Sequence, residues 1–133
     1  MKISPLDVTV SIARAIGHPA RSRILAMLAG GELCVCQITE VLGLAQSTVS
    51  THLRELKRVG LIQERKDSRW VYFSLADDEE SAAWLKVLLF SVEHDQQLAA
   101  DSERVRELRD VPVEDLCRFG FDDALKKARN ESK

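Results

Sequence analysis

The chain alternates between two hydrophobic periods. Residues 5–16 carry Leu6, Val8, Val10, Ile12, Ala13, Ala15 and Ile16 behind Ser4-Pro5, a helix-start signature. These positions spread wider than one stripe, so a second face is expected to meet a partner. Gly17-His18-Pro19 breaks the pattern. A helix is predicted from Pro19 to about Leu28, with Ile24, Leu25 and Leu28 inward, ended by Gly30-Gly31. Leu33 to Leu42 reads as a third helix, with Gly43 as its C-cap. A fourth opens at Ala45-Gln46-Ser47 and reaches about Val59. Two short helices separated by Gly43-Leu44-Ala45 have the spacing of a helix-turn-helix.

After Gly60 the period changes to two. Val71, Phe73 and Leu75 alternate with Trp70, Tyr72 and Ser74, and Leu61 to Lys66 can pair with them through Asp67-Ser68. A helix-turn-helix followed by such a hairpin is a winged helix. The expected fold is therefore mainly α with a small β-hairpin. Residues 79–98 read as one long helix carrying Leu85, Leu88, Leu89, Val92 and Leu98. Residues 99–133 are mostly charged and read as a helical extension with a frayed tail. The expected organisation is a domain over 1–98 and an extension over 99–133.

Composition narrows the functions. A chain of 133 residues has the length of one domain, with no room for a core and a deep substrate cavity together. Its 45% apolar and 30% charged content fits a folded protein rather than a disordered one. The longest strongly apolar stretch, Val87 to Phe90, is far short of the roughly 20 residues that span a bilayer, so no membrane partner is expected. Met1 to Asp7 has no apolar core of a signal peptide. Three cysteines then suggest a reducing cytoplasm and argue against a disulfide scaffold. The net charge of −2 conceals a split. Residues 1–76 hold 10 basic and 6 acidic side chains, and residues 77–133 hold 9 and 15. The positive excess lies on the helix-turn-helix half.

At 100° per residue, Val49, Leu53 and Leu56 fall within about 60° of arc and define the inner face of the fourth helix. Ser47, Thr51, Arg54 and Arg58 then point outward, with Ser50 on a flank. Small hydroxyls allow close approach to base edges, and arginine bridges to guanine or phosphate. The helix start at Gln46 to Thr48 offers unpaired N–H groups to a phosphate. Arg65, Lys66 and Arg69 add a basic wing. Alone, either feature is an ordinary solvated face; together they point to double-stranded DNA. His52, at the edge of the apolar stripe, is either a packing histidine or a reader of the DNA.

Cys34 and Cys36 form a Cys-x-Cys element. Residues two apart diverge by about 200° on a regular helix, so both sulfurs reach one ion only if Cys34 precedes the first full turn or the turn distorts. Glu32-Leu33-Cys34-Val35-Cys36, followed by Gln46-Ser47-Thr48-Val49-Ser50-Thr51-His52-Leu53 and Trp70-Val71-Tyr72-Phe73, resembles the ArsR/SmtB family of metalloregulatory repressors. It is most similar to the arsenic-responsive branch, over about residues 5–98. The resemblance implies a homodimer joined by the helices at 5–16 and 79–98. It also implies repression of an arsenic-resistance operon and release of the operator when As(III) or Sb(III) binds cysteine thiolates. The fuller family pattern has a third cysteine where this chain has Thr39. Cys117 is the candidate replacement if the extension folds back; otherwise it is a half-buried apolar residue beside Leu116 and Phe119. The zinc-sensing branch uses Asp and His ligands along the last dimer helix, where this chain offers only His94 and Asp95.

Two other functions compete. The cysteines of the same repressor would instead sense oxidants, reactive sulfur or a soft cation such as Cd(II). An enzyme is not expected: the chain has no Gly-rich phosphate loop, and His18, His52 and His94 are scattered.

Overall fold

In the computed structural model, residues 3–119, 126, 127, 129 and 130 are described. Met1 and most of the polar end of the extension lie outside them. Helix α1 spans Pro5–Ile16, α2 Pro19–Leu28, α3 Val35–Leu42 and α4 Gln46–Arg58. Ser4 starts α1 with a reciprocal cap: its Oγ accepts from the Asp7 amide while Asp7 accepts from the Ser4 amide. Gly43 ends α3 at φ 67°, a left-handed turn that a side chain would strain. That turn redirects the chain into α4, so the helix-turn-helix depends on it.

The wing is β2 (Ile62–Asp67) paired antiparallel with β3 (Trp70–Leu75). A third strand, β1 (Leu33–Cys34), pairs with β3 on its other edge, opposite Phe73 and Tyr72. The sheet order is β1-β3-β2. The third helix therefore begins at Val35, two residues later than the sequence pattern predicts, because Leu33 and Cys34 join the sheet instead. Ile24, Leu25, Leu33, Ile38, Val49, Leu53, Leu56 and Leu61 are completely or almost completely buried together. Each fully buried Leu or Ile contributes about 1.5–3 kcal/mol. Val49, Leu53 and Leu56 are the α4 members, so the predicted inner face is the observed one.

The long helix expected over 79–98 is two. Helix α5 covers Glu79–Ser91, and α6 covers Gln96–Arg109. The Asp95 side chain accepts from the Leu98 amide and starts α6 afresh. A short α7, Val113–Phe119, follows. Helix α6 lies against α2 and α3. Arg23 of α2 grips the buried Asp101 of α6 through two contacts of 2.9 Å. Leu108, Val111 and Leu116 form a second apolar cluster, against which Cys36 and Val41 pack. The sequence argues against a disulfide scaffold, and the described residues hold one disulfide. Cys36 and Cys117, 81 residues apart, are bonded with their Cα atoms 5.6 Å apart. A single such bond joins α3 to α7 and is no scaffold.

Candidate functional site

Helix α4 stands on the core through its apolar stripe and leaves the opposite side to solvent. Gln46, Ser47, Thr48, Thr51, Arg54 and Arg58 are exposed, and Ser50 is half-buried. The Thr51 hydroxyl donates back to the Ser47 carbonyl at 3.0 Å. Arg58 is engaged with Glu55 at 2.7 and 3.0 Å, which holds the Glu55 carboxyl below its usual range. Lys57 is a basic residue of this surface that the helical wheel passed over. It is exposed and lies 2.7 Å from Glu64 of the wing. With Gln46, Ser50 and Arg54 it lines a groove between α4 and the hairpin.

On the wing, Arg65, Lys66 and Arg69 are all exposed. Arg69 stacks over the Trp70 ring at 5.0 Å. Arg65 is held twice. It makes contacts of 2.6 and 3.0 Å with the Glu32 carboxylate and lies 4.7 Å over the Tyr72 ring. The hydrogen-bonded guanidinium holds the Glu32 carboxyl below its usual range. Glu32 precedes Cys34 by two residues, and Cys34 pairs with Tyr72 in the sheet. The thiols and the wing are thus mechanical neighbours.

His52 packs rather than projects. Its ring centroid lies 4.5 Å from that of His18, whose Nδ1 accepts from the Ala20 amide and starts α2. Burial, then the nearby His18 and Arg21, push the His52 pKa down. Its Nδ1 is buried without a hydrogen-bond partner among the described residues.

The Sγ atoms of Cys34, Cys36 and Cys117 all lie within 4.8 Å of one another. Cys34 precedes α3, which removes the geometric obstacle to a Cys-x-Cys pair converging. Its amide donates to Gln37 Oε1 at 2.7 Å, and its side chain is completely buried. Cys36 and Cys117 are half-buried. Thr39, which stands where the family pattern has a cysteine, has a buried hydroxyl with no partner among the described residues. Three soft donors converging from β1, α3 and α7 suit a thiophilic ion once Cys36 and Cys117 are reduced. His94 and Asp95 fall in the α5–α6 break, where Asp95 is occupied as a cap. Sequence spacing alone could not bring Cys117 to this site. The contacts of α6 do so: the Asp101 grip, Arg104 on Glu40 at 3.4 Å, and Arg109 on the Glu32 and Gly30 carbonyls, each at 3.4 Å.

A helix-turn-helix whose second helix is polar outward, flanked by a basic hairpin on one sheet, defines a winged-helix DNA-binding regulator. The model of the bacterial regulatory protein arsR family matches residues 18–64. The chain is 32% identical over 104 residues to the arsenic resistance transcriptional regulator ArsR1 of Pseudomonas putida, covering 76% of this chain and 80% of that one. It is 31% identical over 116 residues to ArsR2 of the same organism, covering 85% and 96%. A solution structure of the homodimeric winged helix-turn-helix domain Mb0332 from Mycobacterium bovis superposes with a TM-score of 0.59 at 29% identity, over 67% of this chain and 82% of that one. The chain belongs to the ArsR family of transcriptional regulators. No helix among the described residues is long and apolar enough to cross a membrane.

Proposed function

We propose that this protein is a homodimeric repressor of an arsenic-resistance operon, released from its operator when trivalent arsenic or antimony binds Cys34, Cys36 and Cys117. The convergence of three sulfurs within 4.8 Å carries the reading. Trivalent arsenic is soft and favours a pyramid of three thiolates. Three thiols replace the hydroxyls of arsenous acid and release three waters. The thiol from α7 supplies the donor that Thr39 lacks, which gives the extension 99–133 its role.

The DNA surface is α4 from Gln46 to Arg58 with the wing residues Arg65, Lys66 and Arg69. Dimerisation uses α1 and α5, whose Leu6, Val10, Val87 and Phe90 are 71%, 40%, 66% and 78% exposed. Large apolar side chains left exposed on both helices suit an interaction surface, and the related Mb0332 domain is homodimeric. Two copies then place their α4 helices in successive major grooves. Capture ties the start of α3 to α7. Helix α3 packs directly on α4, so the effector acts by favouring the geometry that fits DNA less well.

The test is fluorescence anisotropy on a duplex selected by the reduced protein from a random-sequence pool. Arsenite and antimonite are expected to release it, with Cd(II) and Zn(II) as comparison ions. Cys34→Ser with Cys36→Ser abolishes the response, and Cys117→Ser weakens it at least tenfold. Unchanged arsenite release from the Cys34→Ser/Cys36→Ser protein refutes the site.

A further inference from the structure

We infer that the same three sulfurs are a second sensor, for oxidants: oxidation joining Cys36 to Cys117 releases DNA without a metalloid and leaves the protein blind to one. This rests on the DNA-release reading above but not on the identity of its inducer. Cys36 and Cys117 are half-buried and bonded to each other, whereas Cys34 is completely buried. Cys34 is also pinned, by its sheet pairing with Tyr72 and by the hydrogen bond its backbone amide donates to Gln37 Oε1. The pair that an oxidant reaches is therefore the one that bridges α3 and α7, and Cys34 remains a thiol.

The step balances simply. Two thiols lose two electrons and two protons as the S–S bond forms. A peroxide takes them up as its O–O bond breaks, and hydrogen peroxide gives two waters. Thiol reductants of the cell reverse the step.

The bond has two consequences. It consumes two of the three donors, so a trithiolate no longer forms. It also fixes α7 to the start of α3, the same pair of elements that metalloid capture ties together. The groove at the wing tip is lined by Arg69, Trp70 and Tyr72 on one side and by Pro112, Val113 and Glu114 on the other. Fixing α7 therefore holds the Glu114 carboxylate beside the basic wing, where it repels an approaching phosphate. Two chemically different inputs produce one mechanical output.

The experiment uses the full chain and the selected duplex. Diamide, whose N=N bond accepts the two electrons and two protons, is titrated into reduced protein, followed by dithiothreitol. Affinity is expected to fall at least tenfold and return on reduction. Peptide mass analysis should link Cys36 to Cys117. Cys34→Ser keeps the diamide response, Cys117→Ala loses it, and the oxidised wild type takes up no arsenite. Wild-type DNA affinity unchanged by diamide overturns the inference, as does loss of the diamide response in Cys34→Ser. If arsenite leaves reduced protein on DNA while diamide releases it, the metalloid reading fails and this one stands. The reverse result removes this one alone.

Discussion

Asp101 is the residue on which the attachment of α6 turns, and its substitution gives a sharp test. Asp101 is 4% exposed, and its carboxylate accepts from Arg23 Nε and Nη2 at 2.9 Å each, and from Gln97 at 3.0 Å. Arg23 also reaches the Val41 carbonyl at 3.4 Å. Asp101→Asn keeps the shape but removes the charge and turns an N–H donor toward the guanidinium. Removing one partner of a buried pair costs about 3–5 kcal/mol. The Arg23 side chain keeps 24% of its exposure and recovers some hydration, so the expected loss is near the low end, about 3 kcal/mol. That is a large part of the roughly 5–15 kcal/mol that holds a domain together, and it lowers Tm by about 10 °C. Urea unfolding at fixed protein concentration, with dithiothreitol present so that the Cys36–Cys117 bond does not mask the effect, measures it. The pair is confirmed by the cycle through Arg23→Met: the double substitution should cost less than the two single losses together by about 2 kcal/mol or more. Additivity within about 0.5 kcal/mol would refute the idea that this ion pair fastens the extension.

Other predictions concern single features. His52 has a lowered pKa in the fold, so its neutral form is favoured by folding; its contribution is fully present above the ordinary value of 6.5 and is lost as pH falls below it. Urea midpoints between about pH 7.5 and 5.5 should drop less in His52→Gln than in the wild type, and parallel curves would exclude His52 as the cause. Arg54→Ala and Arg69→Ala should each weaken binding to the selected duplex; where the lost contact is to phosphate, the salt slope falls by about 1. Gly43→Ala should cost about 1 kcal/mol or more, because φ 67° strains any side chain although the space around its Cβ is open. A urea midpoint equal to wild type would show that the turn relaxes.

The parts legible in the sequence are those set by local period. The stripe of Val49, Leu53 and Leu56 oriented α4, and the alternation from Trp70 to Leu75 located the wing. The parts that escaped depend on distant contacts. Leu33 and Cys34 become a strand only because β3 runs beside them. The α5–α6 break carries no Gly or Pro; Leu88, Val92 and Leu98 continue an apolar rhythm across it, and one aspartate side chain at Asp95 restarts the helix. Cys117 stood out by its chemistry, but its place is fixed by Asp101, Arg104 and Arg109, whose charge in sequence looks like a solvated face. Glu32 was visible only as part of a motif; its grip on a wing arginine 33 residues away was not.

That grip changes what a wing arginine contributes. Arg65 already has an anion in Glu32, so on the DNA-binding reading proposed above DNA does not gain a new partner for it but exchanges one partner for another. The net gain at this position is the difference between a phosphate and the Glu32 carboxylate, and so is small for any loosely fitted duplex. It becomes favourable only where α4 is seated well enough to draw the wing onto the backbone. An internal competitor of this kind lowers residence on random DNA more than on the operator. On that reading, a regulator searching a genome crowded with decoys gains discrimination from Glu32, an acid that need not touch a base.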